Sequence, residues 1–229
     1  MTKVYLVGGK IRDRILGVPS KDMDYSVEAE SFDAMREFIV SNGGMIFLET
    51  PEYATIRARL DNNVSDYVLC RKDGSYSDGR HPDSIEAGTI YDDLARRDFT
   101  MNAIAQDVKS GDYVDPHNGI YDISRRYIQC VGNTEERIKE DYLRLIRAAR
   151  FSVTKNMVID SELDLMINNS KMLDNMIMST SIDRIREEVY KMFVYDTPTS
   201  FEFMQDRPNF RDAIFSVGIW LLPTTKERP

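Results

Sequence analysis

The chain has 229 residues, 42% of them hydrophobic, and its 38 acidic side chains against 30 Lys and Arg leave a formal net charge of −8. That composition suits one large globular domain or two small ones, and its acidic balance argues against nonspecific coating of nucleic acid while permitting a locally basic groove. Cys70 and Cys130 are the only cysteines and His81 and His117 the only histidines, which excludes a disulfide scaffold, a four-thiolate metal site and a histidine-rich metal centre. No apolar run approaches membrane-spanning length and the N-terminus lacks a signal-peptide core, so the expected setting is a reducing cytoplasm.

Taken in chain order, the first half alternates strand-like and helix-like segments. Val4 to Val7, VYLV, reads as a buried strand, KIRDRIL as a short helix, and MDYSVE as a second strand carrying carboxylates. SFDAMREFIVSNG has helical spacing, with Ser31 as the N-cap and a glycine stop. ATIRARL and SDYVLCR alternate like neighbouring strands around the turn-prone DNN. A Gly, Ser and Asp-rich loop, KDGSYSDGRHPDS, follows. From Tyr91 the pattern reads as helical, interrupted around SGDYVDPHNG, and beyond Asn133 almost wholly helical.

Asp22 and Asp24 stand at i and i+2 on a predicted strand, so both side chains leave one face. Two adjacent carboxylates repel and resist joint ionisation unless a cation lies between them, and magnesium takes such oxygen ligands while keeping sites for water and phosphates. Gly8 and Gly9 let backbone approach a phosphate without a Cβ in the way, and Arg12, one helical turn on, is placed to reach the same anion. GGKIRD is not a G-x-G-x-x-G, so a dinucleotide fold explains it poorly.

On these residues the chain resembles the class II tRNA nucleotidyltransferase and bacterial poly(A) polymerase family of the polymerase-β superfamily. LVGGKIRDRILGVPSKDMD resembles its first signature, DLARRDFTMNAIA its second, DPHNGIYDISRR its third and EDYLRLIRAARF its fourth, while DGRHPD matches a loop common among CCA-adding members. The resemblance implies an α+β fold: a catalytic head with a mixed β-sheet flanked by helices over residues 1–128, an all-α nucleotide-selecting neck over 129–195, and a short helical body remnant over 196–229. It also implies template-independent addition of C and A to tRNA 3′ ends from CTP and ATP, with two magnesium ions, release of pyrophosphate, and tRNA and nucleoside triphosphates as partners. An A-only or poly(A) polymerase, and a non-catalytic RNA- or nucleotide-binding relative, remain the alternatives.

Residue by residue, the resemblance makes Asp22 and Asp24 the metal ligands and catalytic pair, with Asp66 in SDYVLCR as the third carboxylate. Arg97 binds the triphosphate at a helix opening whose amides favour anions, Asp98 and Asn102 bind the ribose or buttress the site, and Arg96 forms a surface salt bridge. Asp141 and Arg144, three apart on a helix, project as neighbours. A carboxylate accepts from an exocyclic amine and a guanidinium donates to a ring nitrogen or carbonyl, so the pair matches the edges of cytosine and adenine and opposes those of uracil and guanine at about 1–3 kcal/mol per mismatch. Arg147 and Arg150 continue that stripe toward phosphates, with Glu140 supporting the helix start. Arg80, His81 and Asp83 are read as a loop around primer or nucleotide. Family members continue past the neck into body and tail segments that grip tRNA; SIDRIREEVYKMF resembles the first body helix, and FEFMQDRPNFRDAIFSVGIWLLP has the apolarity for one or two more. A minimal enzyme, a homodimer that recreates the missing surface, and a different acceptor RNA are the three arrangements this leaves open.

Overall fold

A computed structural model describes residues 2–20, 23–74 and 84–218. Their contacts divide the chain after Arg125 into two units.

The first unit is built on β1 (Lys3–Val7), α1 (Gly9–Ile15), β2 (Asp24–Glu28), α2 (Phe32–Ser41), β3 (Met45–Thr50), β4 (Thr55–Leu60), β5 (Asn63–Leu69), β6 (Arg71–Asp73), β7 (Ile85–Ala87), α3 (Ile90–Ala95), β8 (Ala105–Asp107), β9 (Tyr113–Val114) and α4 (Gly119–Ser124). Seven strands form one sheet in the order β3-β4-β5-β2-β1-β8-β9, and β6 pairs with β7 separately. Within the large sheet only β2 and β5 run parallel; every other pairing is antiparallel. The parallel pair needs a crossover, and α2 with the β3–β4 hairpin supplies it.

Alternation along the strands explains the two faces. Ile56, Ala58, Tyr67 and Leu69 point to one side, where Met35 and Ile39 of α2 close a core with Val27. Arg57, Arg59, Val64 and Asp66 occupy the intervening positions, exposed or half-exposed on the other side. The turn DNN is a two-residue hairpin loop with Asp61 (φ 50°) and Asn62 (φ 64°) both left-handed, as the twist of the flanking strands prefers. Ser31 caps α2 as its sequence predicts, its hydroxyl accepting from the Ala34 amide at 3.1 Å.

The second unit comprises β10 (Tyr127–Ile128), α5 (Thr134–Glu140), α6 (Leu143–Lys155), β11 (Val158–Ile159), α7 (Ser161–Ile167), α8 (Ser170–Ser179), α9 (Ile182–Tyr195), α10 (Thr197–Gln205) and α11 (Pro208–Ser216). Its core joins α6, through Leu145, Ile146 and Ala149, to α9, whose Ile185, Val189, Met192 and Phe193 recur at helical spacing. Asn133, Asp160, Asn169 and Asp196 each accept a backbone N–H at a helix start.

The mixed sheet flanked by helices agrees with the expected fold class, with three local differences. The stretch after Tyr91, read as helical, yields only the short α3 and α4, because Ala105 to Asp107 is drawn into the sheet beside β1. The second unit is not wholly helical, since β10 and β11 pair in parallel. TEERIKEDYLRLIRAARFSV is two helices, broken where Asp141 is extended (φ −153°). No described helix is long and apolar enough to cross a membrane.

Candidate active site

In the first unit the predicted residues converge where β1 ends and β2 begins. Val7 is registered against Asp24, and Asp24 against Asp66 on the parallel neighbour β5, so the two aspartates sit side by side and share a face. Asp24 opens β2 and is exposed. Asp22 lies outside the described residues, as do Arg80, His81 and Asp83. Asp66 is already engaged: Arg57 Nε and Nη2 donate to its two carboxylate oxygens at 2.8 and 3.0 Å. The fork raises the pKa of Arg57, through that hydrogen bond first and the neighbouring charges of Asp66 and Asp24 after it.

Gly8 follows Val7 directly and turns the chain into α1 with φ 68° and ψ −135°, a conformation that suits glycine. A Cβ on Gly8 would lie 3.3 Å from Arg97 Nη1, and one on Gly9 3.4 Å from Arg12 Nη2. Two guanidinium groups therefore flank a bare backbone turn.

Both arginines are held rigidly. Arg12 is buried; its Nε donates to Asp13 Oδ1 at 2.9 Å and its Nη1 to Asn102 Oδ1 at 2.7 Å. The Asn102 amide donates in turn to Asp98 Oδ1 at 2.9 Å, an oxygen that also accepts from the Phe99 amide. Asp98 and Asn102 thus hold Arg12 in place through one hydrogen-bonded chain. Arg97 donates through Nη2 to Asp93 Oδ2 at 2.9 Å and to the Ser26 hydroxyl at 3.2 Å, and through Nη1 to the Asn102 carbonyl at 3.2 Å. The Ser26 hydroxyl donates to the same Asp93 oxygen at 2.9 Å.

Asp93 is the hub that sequence reasoning missed. It is 0% exposed and also takes Arg96 Nη2 on Oδ1 at 2.5 Å. Burial pushes its pKa up, but the charges of Arg97 and Arg96 prevail and hold the carboxyl below its ordinary value. Arg96 is therefore paired with a buried acid rather than in a surface salt bridge. The signal that betrays Asp93 is its spacing, three and four residues before the arginines. A second expectation also changes: the arginines do not open a helix. Thr89 and Asp92 form a capping box that starts α3 early, Arg96 is its C-cap, and only the single 3-10 turn Thr100–Asn102 follows. Arg96 and Arg97 thus contribute their side-chain charges, while the helix N-terminus at this site is that of α1 behind Gly8.

In the second unit, Asp141 and Arg144 are not neighbours along one helix. Asp141 is extended between α5 and α6; its Oδ1 accepts from the Leu143 amide at 3.0 Å and its Oδ2 from Arg184 Nη2 at 2.9 Å. Aspartate competes well for such capping positions, which is why the helix breaks there. Arg144 is buried and donates to Glu140 Oε2 at 2.7 Å and to the Arg137 carbonyl. Glu140 also accepts from Arg137 at 2.8 Å, so its role is to orient both arginines. Arg147 and Arg150 both face Glu188 of α9, buried at 4% exposure, with N–O separations of 3.6 and 2.9 Å, and both guanidiniums lie over the Phe151 ring. Arg184 and Glu188, in a helix read from the sequence only as body, are the partners that periodicity could not reveal.

Among the described residues no three His, Cys, Asp or Glu side chains gather as a metal-binding group. Asp24 and Asp66 are registered side by side and offer oxygen ligands of the kind a hard divalent cation takes, with both Asp66 oxygens held by Arg57.

Comparison with known proteins completes the description. The poly A polymerase head domain family matches residues 4–129. A CCA-adding enzyme of Staphylococcus epidermidis is 34% identical over 212 residues, covering 91% of this chain and 50% of that protein. One from Oceanobacillus iheyensis is 34% identical over 193 residues, covering 82% and 45%. The crystal structure of the Bacillus stearothermophilus CCA-adding enzyme in complex with CTP superposes with a TM-score of 0.74 at 28% identity, over 90% of this chain and 48% of its own. The chain spans about half the length of the curated relatives it matches.

Proposed function

The chain belongs to the poly A polymerase head domain family, and from that premise we propose that it is a template-independent RNA nucleotidyltransferase adding C and A to tRNA 3′ ends from CTP and ATP, with release of pyrophosphate. The observation that carries this reading is the convergence, at one end of β1, of the bare Gly8–Gly9 turn, two braced guanidiniums and a registered carboxylate pair.

In this reading residues 1–128 act as the catalytic head. Arg12 and Arg97 neutralise the triphosphate as it lies along the glycine turn, and their fixed hydrogen bonds to Asn102, Asp13 and Asp93 keep both charges aimed there before substrate arrives. Asp24, with Asp22 and Asp66, would hold two magnesium ions, which lower the pKa of an attacking hydroxyl and steady the leaving oxygens. Arg57 orients the Asp66 carboxylate through its two-pronged hydrogen bond.

Asp141 and Arg144, in the neck assigned to residues 129–195, supply the edge that reads the base. Each is pre-oriented by its own partner, Arg184 and Glu140, rather than by the other. Arg147 and Arg150 support that helix through Glu188. The cytoplasmic setting belongs to the same proposal, and two buried cysteines without a disulfide suit it.

The direct test is incorporation. Purified protein with magnesium and tRNA transcripts lacking all or part of CCA, given one labelled triphosphate at a time, is expected to add CTP and then ATP and to stop on completion. Products that run on with A alone would establish a poly(A) polymerase instead, and failure to incorporate either nucleotide would end the proposal.

A second measurement addresses base choice. Arg144→Ala is expected to raise UTP and GTP incorporation relative to CTP and ATP by about tenfold or more, as one lost buried hydrogen-bond match costs about 1–3 kcal/mol. Competition assays on the same transcripts report the ratio, and unchanged selectivity in the variant would remove Arg144 from base recognition.

A further inference from the structure

The sheet face that carries Asp24 and Asp66 does not end there. Across the strands, Asp24 registers with Asp66, Asp66 with Arg57, and Arg57 with Leu48. Two residues further along β4, a second row registers Val64, Arg59 and Met45. All of these lie opposite the face that packs on α2.

The outer strand β3 is irregular in an informative way. Its pairing with β4 shifts at Phe47, between Ile46 and Leu48. A bulge of this kind re-aims a side chain, and here it leaves Leu48 on the arginine side, where strict alternation from Ile46 would have turned it inward. Phe47 also remains out, with the Arg59 guanidinium 5.3 Å from its ring centroid. Met45, Phe47, Leu48 and Val64 are 58, 48, 56 and 54% exposed. Among the described residues no carboxylate pairs with Arg59. The patch therefore joins an arginine over an aromatic ring to exposed apolar side chains, next to the Arg57–Asp66 pair.

We propose that this β3–β4–β5 face is a binding platform for the single-stranded 3′ end of the RNA acceptor, with Phe47 and the Arg59 guanidinium stacking on bases and Arg59 meeting a phosphate. The proposal rests on the nucleotidyltransferase reading above. Arg59, the one arginine of the patch not spent on Asp66, gives an anionic strand its charge partner beside Phe47, and sequence-tolerant stacking on aromatic and guanidinium planes is how single strands are held. Position favours RNA as well: at strand spacing, β4 and β3 lie about 10 and 14 Å from Asp24 along the sheet, a distance covered by about three to four stacked nucleotides. A strand that approaches along this face with its 3′ hydroxyl at the carboxylates crosses the patch.

The test uses the whole chain, a fluorescein-labelled single-stranded RNA ending in CC, and two surface variants, Arg59→Gln and Phe47→Ser, checked for folding by circular dichroism. Anisotropy titrations are expected to show RNA affinity weakened about tenfold in each variant, with the slope of log affinity against log salt smaller by about 0.7 for Arg59→Gln. The KM for CTP at saturating RNA stays at the unaltered chain's value. RNA affinity within twofold of the unaltered chain in both variants would overturn the platform while leaving the proposed function standing. A dimer in sedimentation that both variants split into monomers, with RNA binding unchanged, would overturn it in favour of an interface with a second copy. An unaltered chain that neither binds RNA nor incorporates CTP would remove both proposals together.

Discussion

Asp24→Ala is expected to lower CTP incorporation by about 10³-fold or more, equivalent to about 4 kcal/mol of transition-state stabilisation, while leaving the folded state nearly as stable as before. The asymmetry follows from where Asp24 sits. It is exposed at the first position of β2 and stands outside the core that packs on α2, so truncation opens no cavity there. Its importance lies in being registered beside Asp66, next to the strand end that carries the glycine turn. Single-turnover incorporation and a thermal melt on one preparation check both halves. Activity within tenfold of the unaltered chain would show that the carboxylate row is not where the chemistry occurs. Loss of activity accompanied by unfolding would show Asp24 to be structural.

Asp93→Asn is expected to behave in the opposite way, damaging stability and triphosphate binding together. Asp93 is wholly buried and balances two arginines, so its neutral isostere leaves their charges uncompensated at a cost of about 3–5 kcal/mol. Arg97 then loses the partner that aims it at Gly8, and the KM for CTP rises about tenfold or more. The pH dependence supplies an independent readout. The Asp93 carboxyl is held below its ordinary value in the folded protein, so its contribution is fully present above the ordinary carboxylate range and is lost as pH falls through the folded value. Urea denaturation is therefore expected to separate the two proteins widely at pH 7 and progressively less below about pH 4. A gap that stays constant on acidification would mean that the Asp93 charge is not what the arginines require.

The two residues differ in how readily the chain discloses them. Asp24 belongs to a short-range pattern: a carboxylate two residues from another, close behind paired glycines. Asp93 is separated from Ser26 by 67 positions, and what makes it matter is that α3 lies against β2. Its spacing to Arg96 and Arg97 was readable, but nothing local distinguishes that spacing from an ordinary exposed helix pair. The neck shows the same limit. Asp141 and Arg144 stand at helical spacing, yet Asp141 is extended because its carboxylate accepts the Leu143 amide, and each residue takes a partner that lies outside the pair.

The sequence by itself determined the alternating strands, the helix capped by Ser31, the glycine turn with its arginine and the ordered signatures that assign the family, because each is encoded within a window of a few residues to a few turns. Only the tertiary structure decided that Asp66 belongs to Arg57, that Arg97 hangs on Asp93 and Ser26, that Arg147 and Arg150 meet at Glu188, and that a bulge turns Leu48 out beside the arginines. The reason is physical. Propensity and periodicity set which face of an element is apolar, whereas the choice of partner for a charge depends on sheet register and helix packing, which bring together residues remote in the chain.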